Sequence, residues 1–437
     1  MQGRELDFRL FDFEAVRRRV VKRFEPFDGL PGDRGSGAFR PAVQPERGGS
    51  TVPDFYFHIG PRVWFGSDAL LRLPLLAADL AGAGRSRALL VADPLLYESK
   101  VIDRIRGLLE EREIQVLVFD EIPERATTRT AEDALRLAKG ARAPLVIGVG
   151  GIKTLMIARC TAALAASDLD MDAFLDGAKL TAERLPLIEI PTSLRHGFMT
   201  EKCIVLPDGR DRRVRMLRAS SASPEAVLID PMLSATLSPK VGAACAIDGL
   251  LGAVEAYVSS KSSFMSDLLL EKAVVSLAAG LDGLIARPDD PAARFETWKG
   301  SFLSSLGIGM SAPGIGTAVA LAVNARWPVP KASLAAIVLP YSMESAMKSR
   351  LEKIAKLAAL FGEDLSQLSD ADAAAKVVEW LRTRLGQLKI PSRLKDFDLS
   401  LDRLVDAARD ARELDFMNYL PRAVSVDDVF DFMKTAF

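Results

Sequence analysis

The sequence predicts an α/β domain with a parallel, Rossmann-like sheet, followed by an all-helical domain. Three observations carry this. Short apolar runs alternate with helix-patterned segments between Ala88 and Ile229, the signature of a doubly wound sheet. One of these runs opens into Gly148-Val149-Gly150-Gly151-Ile152-Lys153-Thr154 at the head of a helix. Beyond Pro239 nearly every segment reads as alanine-rich helix. The expected organisation is an extension over residues 1–54, an α/β dinucleotide-type domain over 55–237 and a helical domain over 238–437.

At 437 residues the chain exceeds one ordinary core. Lys+Arg 57 against Asp+Glu 58 leaves almost no net charge, so nothing global favours nucleic acid or an anionic membrane. Hydrophobic residues make up 49%, yet no long uncharged run suggests a membrane span. The cysteines, Cys160, Cys203 and Cys245, are far apart and form no CxxC pair. That speaks against a disulfide framework or thiolate zinc site and fits a reducing cytoplasm. Only His58 and His196 are present, so a site of three histidines is excluded within one chain.

In order along the chain, Phe11–Phe24 reads as a short basic helix and Gly29–Gly49 as a Gly/Pro/Arg-rich linker. Phe55–Gly66 reads as a hairpin around Gly60-Pro61. Helix then covers Leu70–Ala81, strand Ala88–Ala92, helix Val101–Arg112, strand Gln115–Phe119, helix Ala131–Lys139 and strand Leu145–Gly148. Glycines between strand and helix let a phosphate approach free N–H groups, and Lys153 and Thr154 add a cation and a hydroxyl. The same glycines also serve any tight turn. A further strand ends at Pro191, before Thr192, Ser193, Arg195 and His196. His196 has the chemistry of a general acid/base and is equally an ordinary loop residue.

Val227–Tyr257 organises the rest. A buried strand stops at Asp230-Pro231, and Pro239 opens a long apolar helix with Asp248 at its middle. A carboxylate among Ala243–Ile247, Leu250 and Leu251 is costly unless something positive meets it. It is either a charge partner at the bottom of a cleft or, with Glu255, part of a thin solvated stripe. Later helices are expected at Glu271–Ile285, Arg294–Ile308, Pro313–Val323, Leu334–Met347, Leu351–Phe361, Ala373–Leu388, Leu401–Glu413 and Asp427–Thr435.

Asp248, Ala253, Glu255, Ala256 and Tyr257 resemble the Asp-Ala-Leu-x-His-Ala-x-Glu-Ala-Tyr helix of the iron-containing (group III) alcohol dehydrogenases. That superfamily also includes glycerol dehydrogenase and dehydroquinate synthase. Gly150, Gly151, Lys153 and Ala158 resemble its Gly-Gly-Gly-(Ser/Lys)-x-x-Asp-x-Ala-Lys motif, with Ile152 and Met156 replacing a glycine and the Asp. Ile190–Glu201 resembles its hydroxyl-lined loop, with Arg195 and His196 replacing Gly and Thr. Gly314-Ile315-Gly316, Leu339-Pro340-Tyr341 and Pro421-Arg422 extend the resemblance over residues 55–437. The resemblance implies a dehydroquinate synthase-like fold and an NAD(P)-dependent oxidoreductase of a small alcohol, aldehyde or polyol. NAD or NADP would be held by Asp93, Gly150, Gly151, Lys153, Thr154, Thr192 and Ser193. Asp93 would approach the adenosine ribose, or else cap a helix. The family often forms dimers, so a homodimer is the implied assembly.

The same resemblance puts Gly252 at one metal-ligand histidine, Val319 or Val323 at a second and Lys331 at a third. Asp248 is the one ligand retained, and one carboxylate does not hold Fe²⁺ or Zn²⁺. The expectation is a metal-free site in which Lys331 pairs with Asp248. Either Lys331 stabilises an oxyanion, with His196 or water relaying the proton, or the pair neutralises a silent site. In the second case the chain binds an anionic ligand or a partner protein.

Overall fold

Strand and helix signals from Arg62 onward form the elements of a computed structural model that describes residues 60–82, 87–180, 183–195, 197–219 and 222–437. The expected basic helix, the linker, the first arm of the hairpin and His196 lie outside these residues. In chain order the first part runs β1 (Arg62–Phe65), α1 (Leu73–Ala81), β2 (Arg87–Ala92), α2 (Val101–Glu110), β3 (Gln115–Phe119) and α3 (Thr128–Ala141). It continues β4 (Val146–Gly150), α4 (Ile152–Leu164), α5 (Met171–Leu175), β5 (Leu187–Pro191), β6 (Cys203–Pro207), β7 (Val214–Arg218) and β8 (Ala226–Ile229).

Six strands pair in the order β1-β8-β5-β4-β2-β3, parallel throughout. β4, β5 and β8 are buried at every residue, which is why they read as continuous apolar runs rather than alternating ones. Arg62–Phe65, the described arm of the expected hairpin, pairs in parallel with β8 and so belongs to the sheet. From β2 the chain goes outward to β3 and returns to β4 on the other side. The carboxyl ends of β2 and β4 thus form the switch point, where such sheets open a crevice for ligands.

The sequence gives no warning of the antiparallel hairpin β6–β7. Its arginines break the apolar pattern, and they find acids partly within the hairpin and partly through tertiary packing. Arg210 and Arg215 converge on the fully buried Asp208, Arg213 reaches Asp410, and Arg218 reaches Glu201 and Asp415.

The helical part runs α6 (Pro239–Val258), α7 (Phe264–Ala286), α8 (Pro291–Met310), α9 (Ile315–Arg326), α10 (Lys331–Leu360), α11 (Asp370–Leu388), α12 (Leu401–Glu413) and α13 (Val426–Thr435). Two expected helices merge in α10, with a kink at Arg350 (φ −139°, ψ 38°). Ser238 caps α6 by accepting from the Val241 N–H, and every residue from Gly242 to Val258 is buried. Among the described residues α6 alone has the length and apolarity of a membrane span, and 94% of that window is buried inside the fold. It is the central core helix.

The solvated-stripe reading of Asp248 and Glu255 is corrected here, because both side chains are buried. Glu255 accepts from the N–H groups of Gly314 (2.9 Å), Gly316 (2.6 Å) and Thr317 (3.1 Å), and from Ser342 Oγ (2.7 Å). Its charge sits on the positive end of α9 and satisfies donors that helix geometry leaves open. The close approach needs glycine, since a Cβ on Gly314 would lie 2.9 Å from Glu255 Cδ. Glu255→Ala is expected to lower stability by about 3 kcal/mol through these orphaned donors. Chemical denaturation would read it, and a loss under ~1 kcal/mol would contradict the capping role.

Candidate active site

The turn after β4 sits at the switch point. Gly150 has φ 150°, and a Cβ there would lie 2.9 Å from Asp93 Cβ and 3.0 Å from Thr154 Oγ1. Gly151 starts α4 without any side-chain cap, and a Cβ on it would meet nothing closer than Ser193 Oγ at 4.0 Å. Thr154 Oγ1 is buried without a hydrogen-bond partner. An uncapped helix start, an open glycine and an unsatisfied hydroxyl fit a phosphate-bearing cofactor. Asp93 is the N-cap of a short 3₁₀ turn, accepting from Leu95 N, and it also lines the cleft. Lys153 is tied to the carbonyls of Pro123 (3.1 Å) and Glu124 (2.6 Å). It fixes the neighbouring loop, and burial pulls its pKa down.

Thr192 is buried and its N–H donates to Gly150 O at 3.0 Å, so it joins β5 to the turn rather than lining the cleft. Ser193 lines the cleft and donates to Arg195 O. The cleft has a volume of about 390 Å³ between the sheet's carboxyl edge and the helices. Asp93, Gly151, Lys153, Thr154 and Ser193 line one wall, Trp327, Val329 and Cys245 another. Burial pushes the Cys245 thiol up to about 11, so it is neutral packing.

Arg195 and Lys331 form the cleft floor and meet Asp248 there. Lys331 Nζ donates to Oδ1 at 2.6 Å, and Arg195 Nε lies 2.5 Å from Oδ2, an ion pair outside hydrogen-bond alignment. The Asp248 side chain is 1% exposed, that of Lys331 10%. Burial, then the Arg195 charge, pulls the Lys331 pKa below its ordinary 10.5, against the pull of Asp248. Behind this trio is a second cavity of about 30 Å³, lined by Gly252, Ser301, Ser304, Ile308 and Thr317. That is room for a water or two.

The expected pairing of Lys331 with Asp248 is what the fold makes. Arg195 is the second partner, and the sequence marks it only as a bulky cation in a loop of small polar residues. The α9 residue facing Asp248 is Thr317, whereas Val319 and Val323 are fully buried core. Thr317 lies two residues before Val319 and six before Val323. Among the described residues, no group of three His, Cys, Asp or Glu side chains is placed to hold a metal ion.

The loop carrying Arg195 is anchored from behind. Arg159 and Glu189, both fully buried, form a two-point ion pair at 2.6 and 3.0 Å. Arg159 also donates to the carbonyls of Phe198, Met199, Glu201 and Cys203. Ser301 Oγ holds Leu194 O at 2.7 Å.

A doubly wound sheet with a glycine turn at its switch point, followed by a helical domain that contributes Asp248 and Lys331 to the cleft floor, is an alcohol-type dehydrogenase architecture. The chain belongs to the iron-containing alcohol dehydrogenase family. The sequence profile of iron-containing alcohol dehydrogenase matches residues 60–231, and that of the family's C-terminal domain matches residues 242–437. Long-chain-alcohol dehydrogenase 1 of Geobacillus thermodenitrificans is 28% identical over 342 residues, covering 78% of this chain and 86% of that protein. Lactaldehyde reductase of Escherichia coli is 22% identical over 376 residues, covering 86% and 97%. The solved structure of a 1,3-propanediol oxidoreductase matches with a TM-score of 0.82 at 22% identity, covering 88% of this chain and 100% of that one.

Proposed function

We propose that this protein is an NAD(P)-dependent oxidoreductase of a small alcohol or aldehyde whose catalytic cation is supplied by the protein and not by a metal. The supporting observation is the Arg195–Asp248–Lys331 cluster at the floor of the cleft that begins at the glycine turn. A divalent ion does not fit there. Two cations already occupy both oxygens of Asp248, Gly252 and Lys331 offer no ligand, and Thr317 brings only a neutral hydroxyl.

The nicotinamide, when bound, exchanges hydride with the carbon bearing the oxygen. The chain's own residues then handle charge and protons. Lys331 donates to the carbonyl oxygen and protonates it on reduction, or holds the alkoxide on oxidation. Asp248 fixes the ammonium and keeps it charged. Ile152, beside Gly151, narrows the nucleotide wall.

Because the Lys331 pKa lies below 10.5, its proton is lost at lower pH than from a free lysine. The reduction rate is therefore expected to fall along an alkaline limb placed below pH 10.5, and a pH–rate profile of Lys331→Met should lack that limb.

Elemental analysis and calorimetric titration with NADH and NADPH on one sample provide the first test. Saturable dinucleotide binding with substoichiometric metal is expected. Stoichiometric metal would overturn the metal-free site. A second reading, a catalytically silent member binding an anionic ligand or partner, draws on the excess positive charge of the cluster. Absence of dinucleotide binding would favour it and sink the oxidoreductase reading.

A further inference from the structure

We infer that the substrate is a small carboxylate bearing the reacting carbonyl or hydroxyl, with Arg195 gripping the carboxylate and Lys331 meeting the reacting oxygen. This rests on the oxidoreductase reading and deepens it.

Charge is the first ground. Two buried cations share one carboxylate, so the floor of the cleft keeps one unmatched positive charge. The nearest acid on α6, Glu255, spends its oxygens on four other donors. Leaving a charge uncompensated in such a place is costly, and an incoming anion relieves the cost while a neutral alcohol does not.

Geometry is the second. Arg195 is 8% exposed and touches Asp248 through Nε. Its outer guanidinium nitrogens have no protein partner among the described residues, and the same holds for two of the three Lys331 hydrogens. Both side chains line the open cleft as well as the inner cavity, so these donors are available from the cofactor side. A guanidinium edge beside an ammonium suits an oxo acid, whose carboxylate and carbonyl oxygens are neighbours. Lys153 does not compete, being held by two carbonyls. The cleft of about 390 Å³ must also admit the nicotinamide end, which keeps the substrate small.

The step balances as a carbonyl reduction. The carbonyl carbon gains hydride from reduced nicotinamide, and the C=O π pair takes the Lys331 proton. Hydroxy acid, oxidised nicotinamide and neutral Lys331 result, and water returns the proton.

The test compares glyoxylate and pyruvate with their uncharged counterparts glycolaldehyde and hydroxyacetone, using NADH and NADPH on the full chain. Wild type should favour the carboxylates by about 10²-fold in kcat/KM, and in Arg195→Met the ratio of carboxylate to neutral kcat/KM should fall to about one, whatever the absolute rates. Arg195→Met keeps the Asp248–Lys331 pair, so the site retains a neutralised carboxylate. Oxamate, titrated at saturating dinucleotide, reports the anion site without turnover and should bind wild type but not Arg195→Met. Turnover with equal or better use of neutral substrates would overturn the inference and leave the oxidoreductase reading standing. Oxamate binding without any turnover would uphold the anion site and overturn the oxidoreductase reading. Oxamate displaced by dinucleotide would overturn the inference, assigning the cations to the pyrophosphate.

Discussion

Glu189→Leu is expected to destabilise the protein by about 3–5 kcal/mol, the usual cost of stranding one member of a buried ion pair. Arg159 would remain fully buried without its two-point carboxylate partner. The consequence should reach the active site, because Arg159 also holds four carbonyls between Phe198 and Cys203. That segment follows Arg195 directly, so affinity for ligands on the cleft floor should fall along with stability. Urea denaturation provides the first readout and a dinucleotide titration the second. A loss below ~1 kcal/mol would mean that water reaches Arg159 and that the pair is not an anchor. In Arg159→Met/Glu189→Leu the buried charge is gone, so stability should partly recover while the loop stays unanchored.

Lys331→Met is expected to lower kcat/KM by about 10²–10³-fold, the scale for removing one charge-stabilising donor from a transition state. The fold should survive, since Asp248 keeps Arg195 at 2.5 Å. Dinucleotide affinity should change little, because the glycine turn and Asp93 lie on the opposite wall of the cleft. A chelator should leave wild-type turnover unchanged. Loss of activity on chelation, with Lys331→Met still active, would move the chemistry onto a metal and overturn the proposed role.

The course of the sheet was legible because its inner strands, β2, β4, β5 and β8, are buried on both faces and write their burial as apolar runs. Gln115–Phe119 and Leu401–Glu413 appear with the bounds their patterns predict. Hairpin β6–β7 was hidden because arginines interrupt its apolar pattern, and two of them, Arg213 and Arg218, are satisfied by acids distant in sequence, Asp410 and Asp415. Its stability is a property of the assembled fold.

In the active site, the sequence by itself determined which chemical groups exist. Asp248 sits in an apolar helix, Gly252 offers no side chain, and Lys331 brings an ammonium. Those identities left Asp248 either met by a positive charge or set on a solvated stripe with Glu255. Only the tertiary structure decided that the partners are two, that Arg195 comes from the loop after β5, and that α9 presents Thr317. It also excluded the solvated stripe and made Glu255 the cap of α9. The physical reason is that charge pairing acts over a few ångströms in space. Residues 83 positions apart, such as Asp248 and Lys331, become neighbours only when the helices that carry them pack.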